Sequence, residues 1–256
     1  MKSLFLFAHQ DDECAVLQKI YDEMCLGKKV QCFFVTTGGK SNQKSAARNS
    51  ESLRVLGKLG IPSNDIFFVG DELKIIDGDL MNRCDDLARW LENFLINCDY
   101  VDSIFMPAWE GGHHDHDALH AISVRVCSKL KIDNFCWQFP LYNGKKCIKP
   151  FFKVLSPLHE NGPVEKIVIS WPNRIRFLSF CLQYPSQRIT WLGLFMPFMF
   201  HFMFKGYQSL QCVSVNRLGH RPHHGQLYYE ARKFTTYKKF SDALDRGLSN
   251  YTGQLF

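Results

Sequence analysis

The chain of 256 residues is 46% hydrophobic and 22% charged, and it carries a formal net charge of +6. This balance is that of a globular protein and argues against a disordered chain. The basic residues are scattered rather than gathered in a stripe. The charge therefore favours small anionic ligands, such as nucleotide sugars or lipid-linked diphosphates, over nucleic acid.

The first half of the chain alternates between two kinds of pattern. Apolar runs of strand length occupy residues 2–8, 30–36, 66–69 and 103–107. Each run is followed by helical periodicity, at residues 12–26, 46–59, 81–97 and 117–130. This alternation predicts βαβ units, and hence an α/β protein with a Rossmann-like, doubly wound, mostly parallel sheet.

The second half is less regular. Strands are predicted at residues 135–141 and 166–170, and a helix at 174–184. Nothing in the middle of the chain reads as a linker. We therefore expect a single α/β domain over residues 1–256, with a Rossmann-like core at 1–130 and an irregular C-terminal extension at 131–256.

The segment WLGLFMPFMFHFMF at residues 191–204 is strongly apolar. It is shorter than the roughly 20 residues of a membrane span, so we predict no transmembrane helix. Two interpretations stay open. The segment is either a buried helix or dimer surface, or an interfacial segment that places the protein at the periphery of a membrane. Gly193 and Pro197 interrupt any long amphipathic face, which favours burial.

Ten cysteines are present, and none of them falls in a CxxC pair. Several lie inside apolar patterns, as Cys32 does in VQCFFV, whereas secreted disulfide frameworks are denser and occur on shorter chains. The run of residues before the first polar motif is also too short for a signal peptide. We therefore expect free thiols and a cytoplasmic location.

Two clusters of titratable residues follow predicted strands, HQDDE after the first and HHDH after the fourth. Open α/β sheets bind ligands at the carboxyl ends of their strands, and these two strands are expected to be neighbours. His9 and Asp12 can then face one metal ion, and His116 completes a catalytic set that leaves a position for water. Asp11 is left free to act as a base on that water, and His113 to meet a substrate carbonyl.

These motifs resemble those of the PIG-L/LmbE-like family of N-acetylglucosaminyl deacetylases. The AHPDDE motif of the family corresponds to AHQDDE at residues 8–13, and its HPDH motif to HHDH at residues 113–116. Gln10 and His114 stand where the family usually has proline, which affects the stiffness of the loops rather than the ligands. We expect His114 to point to solvent.

The resemblance implies a role for each motif residue. The metal ligands that it implies are His9, Asp12 and His116. Asp11 would be the general base and His113 the acid or oxyanion stabiliser, with Asp115 orienting His113. The implied metal is Zn²⁺, although two histidines and an aspartate also accept Fe²⁺.

Two weaker similarities lie outside these motifs. Arg48 and Glu51 resemble the RxxE of a family helix, and YPSQ at residues 184–187 resembles a family HxSQ. The resemblance is good over residues 1–130 and weak after Ser156. It implies that Arg48 binds substrate hydroxyls or phosphate; the alternative is a helix-surface arginine paired with Glu51.

The function implied is hydrolysis of the N-acetyl amide of an N-acetylglucosamine-type sugar, which releases acetate. The sugar could be free, nucleotide-linked or lipid-linked, and a homo-oligomer is compatible with the sequence. Two alternatives stay open: a metal-dependent hydrolase of another amide or ester, and a sugar-binding protein with an inactive site. Several aromatic residues of the second half could stack on a sugar, with core packing as the default: Trp137, Tyr142, Trp171, Tyr184, Trp191 and Tyr207.

Overall fold

The computed structural model describes residues 1–147 and 151–251. Its strands are β1 (Lys2–Phe7), β2 (Lys29–Phe34), β3 (Ile66–Phe68), β4 (Val101–Pro107), β5 (Cys136–Phe139), β6 (Tyr142–Asn143), β7 (Lys153–Val154), β8 (Glu165–Val168) and β9 (Tyr207–Cys212). Seven of these form one sheet in the order β3-β2-β1-β4-β5-β9-β8, and β6 pairs with β7. Strands β1 to β5 are parallel to one another, whereas β9 is antiparallel to both β5 and β8. The Rossmann-like, mostly parallel sheet predicted from the sequence is confirmed.

The helices flank this sheet. They are α1 (Leu17–Cys25), α2 (Asn42–Leu59), α3 (Val69–Leu73), α4 (Cys84–Ile96), α5 (His114–Lys129), α6 (Trp171–Cys181), α7 (Arg188–Phe200), α8 (Tyr228–Ala231) and α9 (Tyr237–Gly247). Alternate residues of β1 explain why both faces are covered. Phe5 and Phe7 belong to one core, with side chains of α1 and α2, while Leu4 and Leu6 belong to the other, with side chains of α4 and α5. A strand buried on both faces reads as a continuous apolar run, as LFLF does here.

Several elements differ from the sequence prediction. The first predicted helix splits, because Asp12–Ala15 is a 3-10 turn and α1 begins only at Leu17. Helix α2 begins earlier than predicted, at Asn42, where the Ser41 side chain accepts a hydrogen bond from the Lys44 amide. Strand β9 was not predicted; its sequence, YQSLQC, is too polar for an apolar run, yet it pairs on both edges.

The apolar segment at residues 191–204 lies in α7 and in a π-helical turn, His201–Lys205, that follows it. The expectation that it is buried holds for only one side of the helix. Trp191, Phe198 and Phe202 are buried, but other apolar side chains of the segment are exposed. Within the described residues, none of the helices has the length and apolar character required to cross a membrane.

Candidate metal centre and active site

Both polar motifs lie at the same edge of the sheet. The first follows β1 and the second follows β4, and these strands are parallel neighbours, with Phe5 opposite Phe105. Strand β2 lies on the other side of β1, so the chain order reverses between β1 and β4. Such a reversal opens a crevice at the carboxyl ends of the strands, where α/β proteins bind ligands.

The first motif turns sharply after β1. Asp11 has a φ of 107°, in the left-handed region, which for a residue other than glycine costs on the order of 1–3 kcal/mol. Two hydrogen bonds fix this turn: the amide of Asp11 donates to Glu13 Oε2 at 2.8 Å, and the amide of His9 donates to Asp12 Oδ2 at 2.8 Å. Tyr184 donates its hydroxyl to the other oxygen of Glu13 at 2.6 Å. The second half of the chain therefore helps to hold the first motif in shape.

The second motif begins helix α5. His113 is its N-cap residue, and its Nδ1 atom accepts a hydrogen bond from the amide of Asp115 at 3.2 Å. One helical turn places His116 on the side of α5 that faces the first motif. His116 is buried there, with its Nε2 atom 3.1 Å from Asp12 Oδ1.

Three side chains from the two motifs converge on one point. The Nδ1 atom of His9 lies 3.2 Å from Nε2 of His116, and 3.8 Å from Oδ2 of Asp12. Ligand atoms held at 2.0–2.1 Å around a tetrahedral zinc ion lie about 3.3 Å apart, so these separations fit a shared divalent cation. Without a cation or a proton between them, two imidazole nitrogens at this distance would repel each other. The donor set therefore suits a metal.

The other nitrogen of His9 faces two carboxylates. Its Nε2 atom lies 3.1 Å from Asp115 Oδ2 and 3.3 Å from Asp77 Oδ1. Burial lowers the pKa of His9, but the charges of Asp77, Asp115 and Asp12 outweigh it and raise the pKa well above its usual value. A histidine that binds a metal through one nitrogen commonly donates the other to a carboxylate, which fixes its ring.

Asp115 differs from the role predicted for it. Its carboxylate is fully buried and accepts hydrogen bonds from His9 and from the amides of Gly78 and Leu80, at 2.6 and 3.2 Å. It lies 3.9 Å from His113, beyond hydrogen-bonding distance. The Asp115 carboxylate therefore orients His9, whereas His113 is contacted by the Asp115 amide, and the carboxylate also fastens the loop that carries Asp77 to the site.

His114 also differs from its prediction. Its ring is buried instead of pointing to solvent, and its Nε2 atom lies 3.0 Å from the carbonyl oxygen of Gly78. The reason is the same loop, because residues 74–80 pack over the start of α5 and exclude solvent from His114.

Arg48 reaches the site from α2. It is only 5% exposed, and its guanidinium lies 3.1 Å from Asp11 and 3.8 Å from Asp77. It also donates to the carbonyl oxygens of Gln10 and Gly38. The alternative of a surface pair with Glu51 is wrong.

Glu51 has another partner. Its carboxylate accepts hydrogen bonds from the amide of Ser186 at 2.9 Å and from its hydroxyl at 2.5 Å. The RxxE and YPSQ segments, which the sequence linked only through resemblance, are therefore joined by direct contacts.

Asp11 is distinct from Asp12 in its electrostatics. Burial raises the pKa of Asp11 to about 7, although Arg48 lowers it, while the nearby Asp12 and Glu13 carboxylates raise it further. For Asp12, burial is outweighed by His116 and His9, which lower its pKa to about 2. A carboxylate poised near neutral pH suits proton transfer, and one that stays ionised suits metal binding.

The imidazole of His113 is uncharged in the site. Burial and the charge of His9 lower its pKa well below the usual value. Because its Nδ1 atom accepts the hydrogen bond from Asp115, the proton of the neutral ring is assigned to Nε2. His113 is therefore suited to donate a hydrogen bond to a substrate oxygen.

These side chains line a cavity of about 140 Å³. Its other wall comes from the second half of the chain: Leu141, Tyr142, Gln187, Thr190, Trp191, Leu194 and Phe198. Tyr142 packs edge-on against His116, with ring centroids 5.6 Å apart. Of the six aromatic residues that could have stacked on a sugar, Tyr142 and Trp191 line this cavity.

Sequence reasoning missed Asp77, which also lines the cavity. Asp77 belongs to no motif and lies after α3, in a turn where Gly78 has a φ of 89°. A signal was present: β3 ends at the same edge of the sheet as β1, so polar residues after β3 were candidates.

A second cavity, of about 640 Å³, shares lining residues with the first. Arg48, Asp77, Gln187 and Thr190 line both, so the two form one cleft. Three more basic side chains line the outer part: Lys40, Lys44 and Arg188. Another cavity, of about 720 Å³, contains none of the motif side chains, so the two His/Asp motifs single out the cleft described here.

The fold is shared with solved structures of low sequence identity. The zinc-inhibited form of teicoplanin deacetylase is 12% identical, with a TM-score of 0.62, and the match covers 82% of this chain and 96% of that one. N,N'-diacetylchitobiose deacetylase from Pyrococcus horikoshii is 15% identical, with a TM-score of 0.57 and coverage of 86% and 85%. The 4-carboxy-2-hydroxymuconate hydratase from Pseudomonas putida KT2440 is 14% identical, with a TM-score of 0.50 and coverage of 82% and 96%. At these identities the similarity shows the fold alone.

Among curated proteins, no sequence matches this chain. The family model for PIG-L, described as GlcNAc-PI de-N-acetylase, matches residues 4–127. This range holds β1 to β4, both His/Asp motifs and Arg48. The resemblance seen in the motifs is therefore confirmed, because residues 4–127 match the PIG-L family model.

Proposed function

We propose that this chain is a divalent-metal-dependent deacetylase, which hydrolyses the N-acetyl amide of an N-acetylglucosamine-type sugar and releases acetate. The observation that carries the proposal is the convergence of His9, Asp12 and His116 beside a non-ligand carboxylate, Asp11, in one cleft. The PIG-L match supports the same reaction, and two solved deacetylases share the fold.

His9, Asp12 and His116 would hold the metal, zinc or another divalent ion such as iron. When bound, such an ion supplies Lewis-acid chemistry, lowering the pKa of a water and polarising a carbonyl. Asp115 and Asp77 keep the ring of His9 in place through its second nitrogen. They also add negative charge that favours a cation.

Asp11 serves as the general base. Its carboxylate accepts one proton from the attacking water, whose oxygen then bonds to the acetyl carbon. Arg48 at 3.1 Å orients this carboxylate and keeps a fraction of it ionised near neutral pH, against the effect of burial. The strained turn and Glu13 hold Asp11 at its position in the cleft.

His113 stabilises the oxyanion of the tetrahedral intermediate by donating from Nε2. When the C–N bond breaks, the proton held by Asp11 passes to the leaving nitrogen. The acetic acid formed then passes its hydroxyl proton to the amine, so the products are acetate and a protonated glucosamine-type amine, and protons and charges balance. Tyr142 and Trp191 offer aromatic faces to the sugar ring.

The outer part of the cleft suggests an anionic substituent on the sugar. Lys40, Lys44 and Arg188 line it, together with Arg48. A sugar linked through phosphate to a nucleotide or a lipid would place its charge there. The second half of the chain would thus select the substrate, as the expected division at residue 130 implies.

The main rival is hydrolysis of another amide or ester, since a hydratase shares the fold and the fold does not fix the reaction. An inactive sugar-binding protein fits poorly, because the residues proposed as base, oxyanion donor and metal ligands lie together in one cleft. Acetate release from UDP-N-acetylglucosamine and N,N'-diacetylchitobiose should be measured with and without a chelator.

We expect release that the chelator stops and added Zn²⁺ or Fe²⁺ restores. His116→Ala should abolish it, while His159→Ala, a change at an exposed histidine outside the cleft, should not. Release that is insensitive to chelator, or absent from every N-acetyl sugar but present with other esters or amides, would contradict the proposal.

A further inference from the structure

Helix α7 and its π-helical turn are apolar on two opposite sides. Trp191, Phe198 and Phe202, spaced as one helical stripe, face the core and are buried. A second stripe faces outward, and its exposed fractions are 88% for Ile189, 81% for Leu192, 48% for Met196, 51% for Phe200 and 79% for Phe204. Scattered exposed apolar residues are ordinary, but five on one helical face indicate a binding surface.

Helix α6 continues this surface. Trp171, Ile175 and Leu182 form an exposed stripe on α6, which packs against α7. Arg174 joins the two elements: its guanidinium lies 4.4 Å from the centroid of the Trp171 ring and donates to the carbonyl oxygens of Met203 and Gly206 at 3.3 Å. We call the eight exposed apolar side chains of these two stripes the α6–α7 face.

The stretch of chain that carries the α6–α7 face has charge of one sign only. Residues 166–229 contain seven of the 31 basic residues and none of the 25 acidic ones. The remainder of the chain is therefore close to neutral, and the positive charge belongs to this stretch. Arg188 and Lys205 are exposed at the two ends of the α7 stripe, and Lys166 is exposed on β8.

We infer that the α6–α7 face docks on the surface of a membrane that contains anionic lipids. Apolar side chains flanked by basic ones, with a tryptophan among them, are the composition of a segment that lies in the membrane interface. Helix α7 has 13 residues with a proline inside, so it would lie in the plane of the bilayer rather than cross it.

A second copy of the chain is the less favourable occupant. An isologous pairing of α7 with itself in antiparallel orientation would bring Arg188 of each copy towards Lys205 of the other. No acidic side chain in residues 166–229 is present to offset that repulsion. Anionic headgroups satisfy the same cations.

Docking through the α6–α7 face would also decide which substrates reach the cleft, an effect that rests on the proposed function. The inward stripe of α7 contributes Trp191, Leu194 and Phe198 to the catalytic cavity, and Arg188 and Ile189 line its outer cleft. Docking through the outward stripe would thus hold the entrance of the cleft beside the lipid headgroups. Substrates displayed at that surface would be favoured over dissolved ones.

The test is flotation of the full chain with vesicles of phosphatidylcholine, alone or mixed with phosphatidylglycerol. We expect the protein to float with the mixed vesicles, less so at high salt, and weakly with the neutral ones. Leu192→Ser combined with Phe200→Ser should weaken partitioning at least about tenfold, because both apolar side chains leave the interface. Leu26→Ser combined with Ile96→Ser is the matched control, since these exposed residues lie at the opposite edge of the sheet.

Circular dichroism should show that both double variants fold, and acetate release from a dissolved sugar should be unchanged in both. Acetate release from the dissolved sugar therefore separates a failure of membrane docking from a failure of the proposed activity. Wild-type protein that stays unbound to mixed vesicles, or a Leu192/Phe200 variant that floats as well as wild type, would overturn the inference. So would a dimer in solution that this variant converts to monomer, because a second copy would then cover the face.

Discussion

The substitution Asp11→Asn tests whether Asp11 acts as a general base or as a metal ligand. The substitution keeps the shape of the side chain and an oxygen that can accept from Arg48, at 3.1 Å in the wild type. It leaves His9, Asp12 and His116 untouched. We therefore expect the metal to stay bound while turnover falls by roughly 10²–10⁴-fold, the usual contribution of a positioned general base. This corresponds to about 3–5 kcal/mol of activation free energy.

The same substitution is expected to stabilise the protein when the metal is removed. In the fold, the pKa of Asp11 is raised by burial from 3.8 to about 7, so its carboxylate destabilises the folded state increasingly as the pH rises through this range. A neutral asparagine avoids that penalty. We expect a gain of about 1–2 kcal/mol in the free energy of unfolding at neutral to alkaline pH, and little gain below the unfolded pKa.

Elemental analysis, acetate release and urea unfolding of the chelated protein together measure these effects. Asp99→Asn, at an exposed position, is the control for the chemistry of the substitution. Loss of metal in Asp11→Asn with retention in Asp12→Asn would mean that the two carboxylates have exchanged roles. Turnover within about threefold of wild type would refute the general base, since it is far above the expected range.

The neighbours of Asp11 support three further predictions. Arg48 lowers the pKa of Asp11, so Arg48→Met should move the acid-side inflection of kcat/KM to higher pH, whereas Arg48→Lys should leave it nearly in place. Tyr184→Phe removes a donor from the buried Glu13 carboxylate and should lower the free energy of unfolding by about 1.5–3 kcal/mol. Burial already raises the pKa of Glu13, so this loss should be largest at alkaline pH and should fade as Glu13 is protonated. His116→Ala should remove the metal, as measured by elemental analysis.

Each of these has an outcome that would contradict it. An unchanged pH profile in Arg48→Met would mean that Arg48 does not control Asp11. A loss in Tyr184→Phe that is independent of pH, or equal to that of the exposed Tyr100→Phe, would remove Glu13 from the explanation. Full metal content in His116→Ala would move the centre to another group of side chains that could hold a metal, whose ligand atoms lie within 4.8 Å of one another: His9, Asp77, His113 and Asp115.

The sequence by itself determined the parallel sheet and the location of the site. Apolar runs such as LFLF bury both faces of a strand, and the helical segments between them require parallel connections. A polar motif placed directly after such a strand lies at the carboxyl edge of the sheet whatever the rest of the chain does. The sequence therefore predicted one cluster at the ends of β1 and β4, formed by His9, Asp12 and His116.

The tertiary structure decided which partners these residues have. The Asp115 carboxylate binds His9 rather than His113, and Asp77 enters the site, because the loop after α3 packs over the start of α5. Loop packing depends on contacts between residues 35 to more than 100 positions apart, which periodicity cannot report. Hydropathy likewise showed that α7 is apolar but not what covers it. Only the packed helices reveal that one stripe lines the cavity at the two His/Asp motifs while the other faces outward.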